Sequence, residues 1–555
     1  MLGEISMDLI QPDMMGKIVD EGVLVGNIPL ILDVGVKMVL LVLFGVACGI
    51  LSGVFANLAA QQFGNDLRKD VFKRIMNLSF QNTDKISTGS LVTRLTNDVT
   101  QVQMMVMMSV RSVVRSSVMF LGGIFMLYRQ APKFAFIAAC ALPFLVFFVI
   151  FFMKKASPMF SVVQKKLDRI NNIMQENVAG ARVVKAFVQE KRELDKFDSA
   201  NEDLCNTNLR VQTLLAFMNP LMNIVLNICI VCIIAIGGVS FKGGAEMSPG
   251  SIMAAITYMA LILHGLTFMA NIFQTFTRAR ASIHRINEVL SCEDIINDGI
   301  GTETGKTGEI EFRNVSFAYP DAPQSLVLDN VSFSLKKGET LAIIGATGSG
   351  KSSLVNLIPR FYDVTAGEVL LNGVNVKEYK LKELRDKIAI VMQKAELYSR
   401  SIEANIRWGK DDANPWQIKD AATISQADDF ICRTANGYYT LVSEGGHSLS
   451  GGQKQRLSIS RAVIKNAEVL VFDDSTSALD LKTEAKLYSA MKKSFDDTSK
   501  IIIAQRIASV KDADRIIVLE NGRISSMGSH DALLLSSDVY KEIYNSQLKG
   551  GALDE

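Results

Sequence analysis

Five long apolar stretches in the first half of the chain constrain its fold more than any other feature. Residues 38–65 carry no charge, and this length exceeds the roughly 20 residues that a helix needs to cross a lipid bilayer. Four further stretches are also long and mainly apolar, at 104–128, 134–153, 214–241 and 251–276. The sequence therefore predicts a helical membrane domain with five full spans.

The opening 22 residues differ because their apolar run is too short to span a membrane alone. Pro12 and the charges that follow it are typical of the exit end of a helix. We expect that the chain begins inside a first span, and that about 20 upstream residues are missing or were never encoded. An N-terminal helix lying in the membrane interface is the alternative.

The connections between the spans predict the orientation of the membrane domain. One polar stretch lies before the span at 104–128 and another lies after the span at 134–153, and both are long and rich in Lys and Arg. The connections at 22–29, 129–133 and 242–249 are short. Long basic connections are typical of the cytoplasmic side, so we expect them to form two long cytoplasmic coupling loops, the second at 154–210. Arg111 and Arg115 fall within a span, where we expect them to face a water-filled cavity, a partner helix or the inner interface. Contact with a substrate and simple snorkelling both remain open for them.

The second half of the chain is more polar and has a different pattern. With 555 residues, the chain is too long for one ordinary soluble core, so we expect a transmembrane domain at 1–290, a linker at 291–308 and a second domain at 309–549. From residue 309 onward, short β-type runs alternate with helical patterns, which predicts an α/β domain with a mainly parallel sheet. The net charge of +2 gives no argument for a nucleic-acid partner.

The stretch LAIIGATGSGKSS at 341–353 predicts a phosphate-binding loop between a strand and a helix. Its glycines allow backbone amides to close around phosphate oxygens, while Lys351 would reach the terminal phosphates and Ser352 would bind magnesium. The predicted nucleotide-binding residues of this loop are Gly345, Ala346, Thr347, Gly348, Ser349, Gly350, Lys351, Ser352 and Ser353.

A second strand, VLVFD at 469–473, runs into two adjacent carboxylates. Asp473 is expected to hold magnesium, through a water molecule. Asp474 follows at the position where a catalytic acid would polarise the attacking water. These features together predict a magnesium-dependent P-loop nucleotide hydrolase, but not which kind.

The motif LSGGQ decides which kind of hydrolase this is. Its residues are Leu449, Ser450, Gly451, Gly452 and Gln453, and its glycines again expose amides at a helix N-terminus. A second phosphate clamp in one chain suggests a nucleotide shared between two subunits. Here the chain resembles the ATP-binding cassette (ABC) transporters, in which LSGGQ is the signature motif and acts on the partner's ATP.

The resemblance extends to other positions and to nearly the whole chain. It implies that Tyr319 stacks on adenine, that Gln393 senses magnesium, and that Glu444 joins the signature to coupling helices. It also implies an interface loop formed by Ser477, Ala478, Leu479 and Asp480. The membrane half resembles exporters with six spans and one C-terminal cassette, whose coupling helices are expected near 80–85 and within 176–193.

Two positions depart from the family pattern. Asp474 stands where efficient members have glutamate, and the loss of one methylene retracts the carboxylate by about 1–1.5 Å, a misplacement that can cost about 100-fold in rate. Gln505 stands where the family has a switch histidine, and glutamine cannot carry a positive charge. Both changes affect the site on this chain's own P-loop, whereas the signature is intact. That asymmetry resembles the degenerate-site subunit of heterodimeric bacterial multidrug exporters.

The sequence thus predicts ATP-driven export of lipophilic or amphipathic compounds across a bacterial cytoplasmic membrane by alternating access. The predicted partner is a second ABC half-transporter with a consensus ATP site. Three alternatives stay open: a lipid or lipopeptide flippase, a homodimer with two slow sites, and a regulatory or channel-like ATP-binding membrane protein.

Overall fold

The computed structural model describes residues 1–130, 132–242, 247–293, 296–301 and 307–551. The chain forms two compact units. The first comprises Met1–Met76 and Thr88–Ser291, and the second comprises Asn77–Ser87 and Cys292–Glu555. Parts of three predicted segments, the connections 129–133 and 242–249 and the linker 291–308, lie outside the described residues.

Helices build the first unit. Its helices are α1 (Leu2–Lys17), α2 (Ile28–Met76), α4 (Thr88–Thr93), α5 (Val99–Met108), α6 (Val114–Gln130), α7 (Pro132–Ala179), α8 (Ala181–Ala186), α9 (Glu190–Ala216), α10 (Met218–Lys242) and α11 (Pro249–Leu290), while α3 (Phe80–Lys85) belongs to the second unit. Short π-helical turns occur at Ile18–Val23, Arg94–Asp98 and Ser109–Val113. All five predicted spans lie in helices long and apolar enough to cross a membrane, which confirms the helical membrane domain.

The long connections predicted as loops are instead helical extensions of the spans. The helix α7 contains 48 residues, or about 72 Å at a rise of 1.5 Å per residue. Its polar half pairs with α9 through a small apolar cluster that includes Ile170, Ile173 and Ala200. An ion pair of 2.7 Å between Lys166 and Asp203 joins the same two helices. The few apolar residues along these two helices do not form a recognisable amphipathic pattern in the sequence. The polar composition of the segment therefore suggested loops.

The helix α1 continues through Pro12, where the sequence predicted its exit end. Proline removes a backbone hydrogen bond inside a helix and usually kinks it, and neighbouring groups must then satisfy the freed carbonyls. The buried Tyr258 hydroxyl donates to the Leu9 carbonyl at 2.8 Å, three residues before the proline. Ile5 and Leu9 lie in the same apolar core as Tyr258. Contacts with the bundle therefore hold α1 as a helix past Pro12.

The two arginines within the third predicted span have different surroundings. Arg115 forms ion pairs with Glu4 and Asp8 of α1, so a partner helix supplies its counter-charges. Arg111 is exposed and has no hydrogen bond or ion pair within the described parts of the chain. It lines a cleft of about 620 Å³ together with Glu4, Asn57 and Gln61.

A close contact between two glycines joins α1 to the start of α11. A Cβ atom placed on Gly250 would lie 2.1 Å from the Gly16 carbonyl oxygen and 2.5 Å from Asp20 Oδ2. The Asp20 carboxylate also accepts a hydrogen bond of 2.7 Å from the Gly250 amide and one from the Ser248 hydroxyl. The helix ends can therefore meet only because both contact positions lack a side chain.

The second unit contains two sheets. The four-stranded antiparallel sheet has the order β2-β1-β4-β5, with β1 (Ile310–Phe317), β2 (Leu328–Leu335), β4 (Ala366–Leu371) and β5 (Val374–Asn375). The six-stranded sheet has the order β10-β9-β3-β8-β7-β6, with β3 (Thr340–Ile344), β6 (Ile388–Val391), β7 (Val469–Asp473), β8 (Ser499–Ile503), β9 (Arg515–Glu520) and β10 (Arg523–Gly528). Every pair in it is parallel except β9 with β10. This confirms the mainly parallel sheet, whereas the antiparallel sheet was not predicted.

Within the described residues, ten α-helices follow β3. They are α12 (Lys351–Leu357), α13 (Leu381–Asp386), α14 (Ile402–Arg407), α15 (Pro415–Ile424), α16 (Asp428–Cys432), α17 (Gly451–Ile464), α18 (Leu481–Ser494), α19 (Ile507–Val510), α20 (His530–Ser536) and α21 (Asp538–Gly551). Successive residues of β3 face different cores, with Ala342 and Ile344 on one side and Leu341 and Ile343 on the other. The six-stranded sheet is therefore buried on both faces, which explains its continuous apolar strands.

Two segments outside the cassette proper also pack in the second unit. The helix α3 lies where the first coupling helix was predicted, and the rings of Phe80 and Phe361 stack at 4.2 Å between centroids. The Tyr362 hydroxyl donates a hydrogen bond to the Asp84 carboxylate. Part of the predicted linker packs on the cassette as well, since the Gly299 amide donates to the Tyr379 carbonyl at 3.1 Å.

The contact at Gly250 leads to a prediction about stability. We expect Gly250→Ala to destabilise the bundle by about 1–3 kcal/mol, because the new methyl group must push the Gly16 carbonyl away. Thermal unfolding of the purified chain in detergent measures this. Gly35→Ala on α2 is the matched control, since a Cβ there meets nothing within 4 Å. Equal unfolding temperatures for both variants would contradict the prediction.

Candidate nucleotide site

The candidate site lies at the carboxyl ends of four neighbouring parallel strands. In the order β3-β8-β7-β6, these strands end at Ile344, Ile503, Asp473 and Val391. The P-loop follows β3, Gln505 follows β8, Asp474 follows β7 and Gln393 follows β6. Loops at the carboxyl edge of a parallel sheet form its usual ligand site. The sheet order therefore brings together residues that are up to 160 positions apart in the chain.

Two glycines of the P-loop adopt a backbone conformation that other residues disfavour. Gly348 and Gly350 have φ values of 85° and 100°, in the left-handed region that side chains disfavour. A Cβ on Gly350 would also lie 2.8 Å from the Val327 carbonyl oxygen. Residues 346–348 are exposed at the tip of the loop, and α12 begins at Lys351 as the sequence predicted.

The Lys351 side chain is held on the inner side of this loop. Its ammonium donates to the carbonyls of Gly345 and Ala346, at 2.9 and 2.7 Å. Burial lowers the pKa of Lys351, and the nearby carboxylates of Asp474 and Asp473 oppose that effect. The cation is thus positioned by backbone oxygens and faces two acids.

The residues expected to hold magnesium lie together. The Ser352 hydroxyl donates to Asp473 Oδ1 at 2.9 Å. The pKa of Asp473 is raised, mainly by burial and also by the neighbouring Asp474 carboxylate. The hydrogen bond from Ser352 opposes this increase. In the same loop, the buried Ser349 hydroxyl has no hydrogen-bond partner among the described residues. A buried cation, an orphaned hydroxyl and a hydroxyl–carboxylate pair fit a magnesium–phosphate ligand.

Asp474 is the most constrained side chain of the site. Its Oδ2 atom accepts hydrogen bonds from Gln505 Nε2 at 2.8 Å and from Gln393 Nε2 at 3.3 Å. Its backbone has a φ of 46°, and its amide donates to the Ile503 carbonyl of the adjacent strand at 3.0 Å. The residue is only 7% exposed. The structure therefore brings the two departures from the family pattern, Asp474 and Gln505, into direct contact.

Tyr319 lies beside the helix that follows the P-loop. Its hydroxyl shares a hydrogen bond of 2.9 Å with the Ser353 hydroxyl, and its ring packs edge-on against Tyr362 at 5.3 Å. The ring is only partly buried. This placement near the P-loop is compatible with a base-stacking role.

The signature motif forms the start of α17. Ser450 and Gln453 make a reciprocal capping box, in which each side chain accepts from the other's backbone amide, at 3.3 and 2.9 Å. A Cβ on Gly452 would lie 2.9 Å from the Ala478 carbonyl oxygen. Gly451 is exposed at the tip of the helix. The second glycine is therefore required for packing on the interface loop, while the first leaves helix amides accessible.

The interface loop connects the signature to the candidate catalytic acid. The Ser477 hydroxyl donates to the Asp474 carbonyl at 3.0 Å, and Asp480 caps α18 by accepting from the Thr483 amide at 2.8 Å. Gln455 of α17 accepts from the Ala478 amide at 3.0 Å. Gln455 is buried and was not predicted, because nothing in the sequence distinguishes it from a solvated polar residue on a helix.

Glu444 lies apart from these groups. It begins a short 3₁₀ turn, Glu444–Gly446, in which Gly445 has a φ of 60°. The side chain is exposed and forms no hydrogen bond or ion pair with any described residue. Its predicted coupling role therefore has no counterpart within this chain's own contacts.

Comparisons with known proteins agree with these features. The chain matches the family models "ABC transporter transmembrane region" over residues 6–266 and "ABC transporter" over residues 328–477. It is 39% identical to the uncharacterized ABC transporter ATP-binding protein YfiB of Bacillus subtilis, over 99% of this chain and 95% of that protein. It is 32% identical to an ATP-dependent lipid A-core flippase of Syntrophus aciditrophicus, over 93% of this chain and 86% of the other.

Among solved structures, the fold is similar to that of a bacterial Atm1-family ABC exporter with ATP bound. The TM-score is 0.84 at 25% sequence identity, and the match covers 98% of this chain and 97% of that one. The similarity therefore includes both units of the chain.

The placement of Lys351 predicts its contribution to nucleotide binding. We expect Lys351→Ala to weaken ATP binding by about 10- to 100-fold, because hydrogen bonds to charged groups contribute about 1.5–3 kcal/mol. Equilibrium binding of a fluorescent ATP analogue to the purified full chain measures the change. Lys382→Ala, at an exposed lysine of α13, is the matched control. An unchanged affinity in Lys351→Ala would exclude the P-loop as the binding site.

Proposed function

The chain belongs to the ATP-binding cassette transporters as an exporter-type half-transporter, and we propose that it exports lipophilic or amphipathic compounds as one subunit of a heterodimer. Proteins of this family couple ATP hydrolysis to transport, and half-transporters generally form dimers. The helical unit lies in the membrane and the cassette lies in the cytoplasm. The proposal adds that this chain's own P-loop retains ATP, whereas fast hydrolysis occurs at the partner's P-loop.

The occupied carboxylate of Asp474 is the observation that supports this proposal. A general base needs a free lone pair within hydrogen-bond reach of the water that it activates. Both donors to Oδ2 are neutral amides, from Gln505 and Gln393, and the acid is one methylene shorter than glutamate. Only Oδ1 remains without a hydrogen-bond partner among the residues described. The arrangement favours retention of ATP over its hydrolysis.

Other residues of the site are suited to binding. Lys351 and the P-loop amides would hold the β- and γ-phosphates, while Ser352, Asp473 and Gln393 would hold Mg²⁺. When bound, that ion would offset the negative charge of the phosphates. Tyr319 would stack on the base. The binding residues thus match the family pattern, and the departures are confined to the residues that act on water.

The signature motif supports a role for this chain in the partner's site. Its capping box leaves the first turn of α17 ordered and Gly451 exposed, so helix amides can reach a phosphate on another subunit. Gln455 and Ser477 connect α17 to the Asp474 carbonyl by hydrogen bonds of 3.4 and 3.0 Å. The two ATP sites of a dimer would therefore be mechanically linked through this chain.

The membrane unit supports an amphipathic substrate. The cleft beside Arg111 has mostly apolar walls, and it also presents the polar side chains of Asn57 and Gln61. Similarity to lipid A-core flippases makes lipid flipping the second candidate function. Reconstituted proteoliposomes distinguish the two, by accumulation of a fluorescent drug or by translocation of a labelled lipid.

Removal of the acid in this chain should have little effect on the dimer. We expect Asp474→Asn to change ATP turnover of the co-purified pair less than twofold, because hydrolysis at this site already lacks a well-placed base. The corresponding substitution of the partner's glutamate should nearly abolish turnover. Equal losses would mean that the two sites are equivalent.

Robust turnover by this chain expressed alone would favour the homodimer. A pair without vanadate-sensitive ATPase activity would favour a regulatory protein.

Restoring the family residues should activate this chain's own site. We expect Asp474→Glu combined with Gln505→His to increase hydrolysis at that site by about 10- to 100-fold, because the carboxylate regains its reach. Single-turnover conversion of labelled ATP that is cross-linked to this chain measures the rate. Asp474→Glu alone is the informative comparison, since Gln505 would still donate to the acid. No gain in either variant would contradict the degenerate-site proposal.

A further inference from the structure

The residues after β8 contact the C-terminal helix α21 through the side chain of Gln547. Gln547 Oε1 accepts a hydrogen bond from the Ile507 amide at 2.8 Å, and Gln547 Nε2 donates to the Gln505 carbonyl at 2.8 Å. One carboxamide thus pairs with the backbone on both sides of Arg506. This is the hydrogen-bond pattern of a neighbouring β-strand, supplied here by a side chain.

The packing of α21 explains why Gln547 reaches this position. Tyr540 is fully buried, its hydroxyl lies 2.8 Å from His530 Nδ1, and Ile543 and Tyr544 pack on the same core. These residues and Gln547 recur at helical spacing, so they share one face of α21. Gln547 continues the apolar stripe with a polar group at the point where the helix meets residues 505–507.

Apart from the buried Ile507 side chain and the Gln505–Asp474 hydrogen bond, the described residues give the segment 505–507 few restraints. Ile507 is the first residue of α19, and the preceding Arg506 gives that helix no side-chain cap. The first amides of a helix lack internal partners, so the Gln547 oxygen takes the place of a cap. The Arg506 guanidinium reaches the carbonyls of Ser477 and Leu479 only at 3.4 Å each.

We propose that Gln547 is a positioning residue for the nucleotide site, which holds the Gln505 backbone so that its side chain stays on Asp474. The chain of contacts runs from α21 through the Gln505 carbonyl to the 2.8 Å bond between Gln505 and Asp474. The C-terminal helix thereby sets how long ATP is retained at this chain's P-loop. The inference rests on the proposed function, in which the contact between Gln505 and Asp474 favours retention of ATP.

The test uses the pair of subunits and measures release of nucleotide from the P-loop of this chain only. The full-length protein, purified with its co-purifying partner, is loaded with 8-azido-[α-³²P]ATP and magnesium and then diluted into excess unlabelled ATP. Photolysis at intervals followed by gel electrophoresis reports the label that remains on this chain. We expect Gln547→Ala to shorten the half-time of release about tenfold, because two hydrogen bonds to the backbone are lost.

Two further variants separate positioning from general destabilisation. Asn545→Ala removes an exposed carboxamide two residues earlier on α21 and should leave the half-time unchanged. Gln547→Glu keeps the acceptor for the Ile507 amide but places a carboxylate against the Gln505 carbonyl, so it should also shorten retention. The unfolding temperatures of all variants provide the control for folding.

The decisive comparison uses the Gln505→Ala background. Because Gln547 acts through Gln505, adding Gln547→Ala there should cause no further change in the half-time. A double variant that releases nucleotide faster than Gln505→Ala would overturn the inference, as would a wild-type half-time in Gln547→Ala. Failure of the proposed function looks different: the label on wild-type protein and variants alike would be found rapidly as ADP by thin-layer chromatography. Even then, an effect of Gln547→Ala on the half-time decides whether Gln547 positions the site.

Discussion

Parallel hydrogen bonding between β3, β8, β7 and β6 is the constraint on which the nucleotide site depends. Register between neighbouring strands aligns Val471 with Ile501 and Ala342 with Ile502, so the strand ends lie at one edge. The residues that follow these ends must then share a small volume. No single motif creates the site, since the P-loop, Asp473, Gln393 and Gln505 each depend on the strand beside them.

Much of this arrangement could be predicted from the sequence. The P-loop, the strand ending in Asp473 and the five spans have strong local patterns, because glycine spacing and apolar length are properties of short segments. The adjacency of Asp474 and Gln505 followed only from the family resemblance. Gln455 and Gln547 escaped prediction because each is a glutamine on a helix, and only the tertiary contact distinguishes such a residue from a solvated one.

The errors in the membrane unit have a different physical origin. Polar composition suggested loops at 154–210, yet α7 and α9 remain helical there because they pair along their length. Pro12 suggested a helix end, yet the bundle stabilises α1 beyond it through Tyr258 and the Gly16–Gly250 contact. At Pro12 tertiary contacts outweigh local propensity, which opposes the helix by about 3 kcal/mol, whereas the frequent Lys, Glu and Gln residues at 154–210 themselves favour a helix.

The contact between Asp474 and Gln505 changes how their departures from the family should be understood. As separate deficits, a short acid and an uncharged switch residue would each reduce hydrolysis by an independent factor. Side chains that share a hydrogen bond of 2.8 Å are instead energetically coupled, and the effects of changing them are not additive. The amide pairs with one oxygen of the acid, and the acid orients the amide, so the two side chains act as one unit. Under the proposed function, Gln547 would extend that unit to the C-terminal helix, and retention of ATP would then depend on the whole edge of the cassette rather than on two residues.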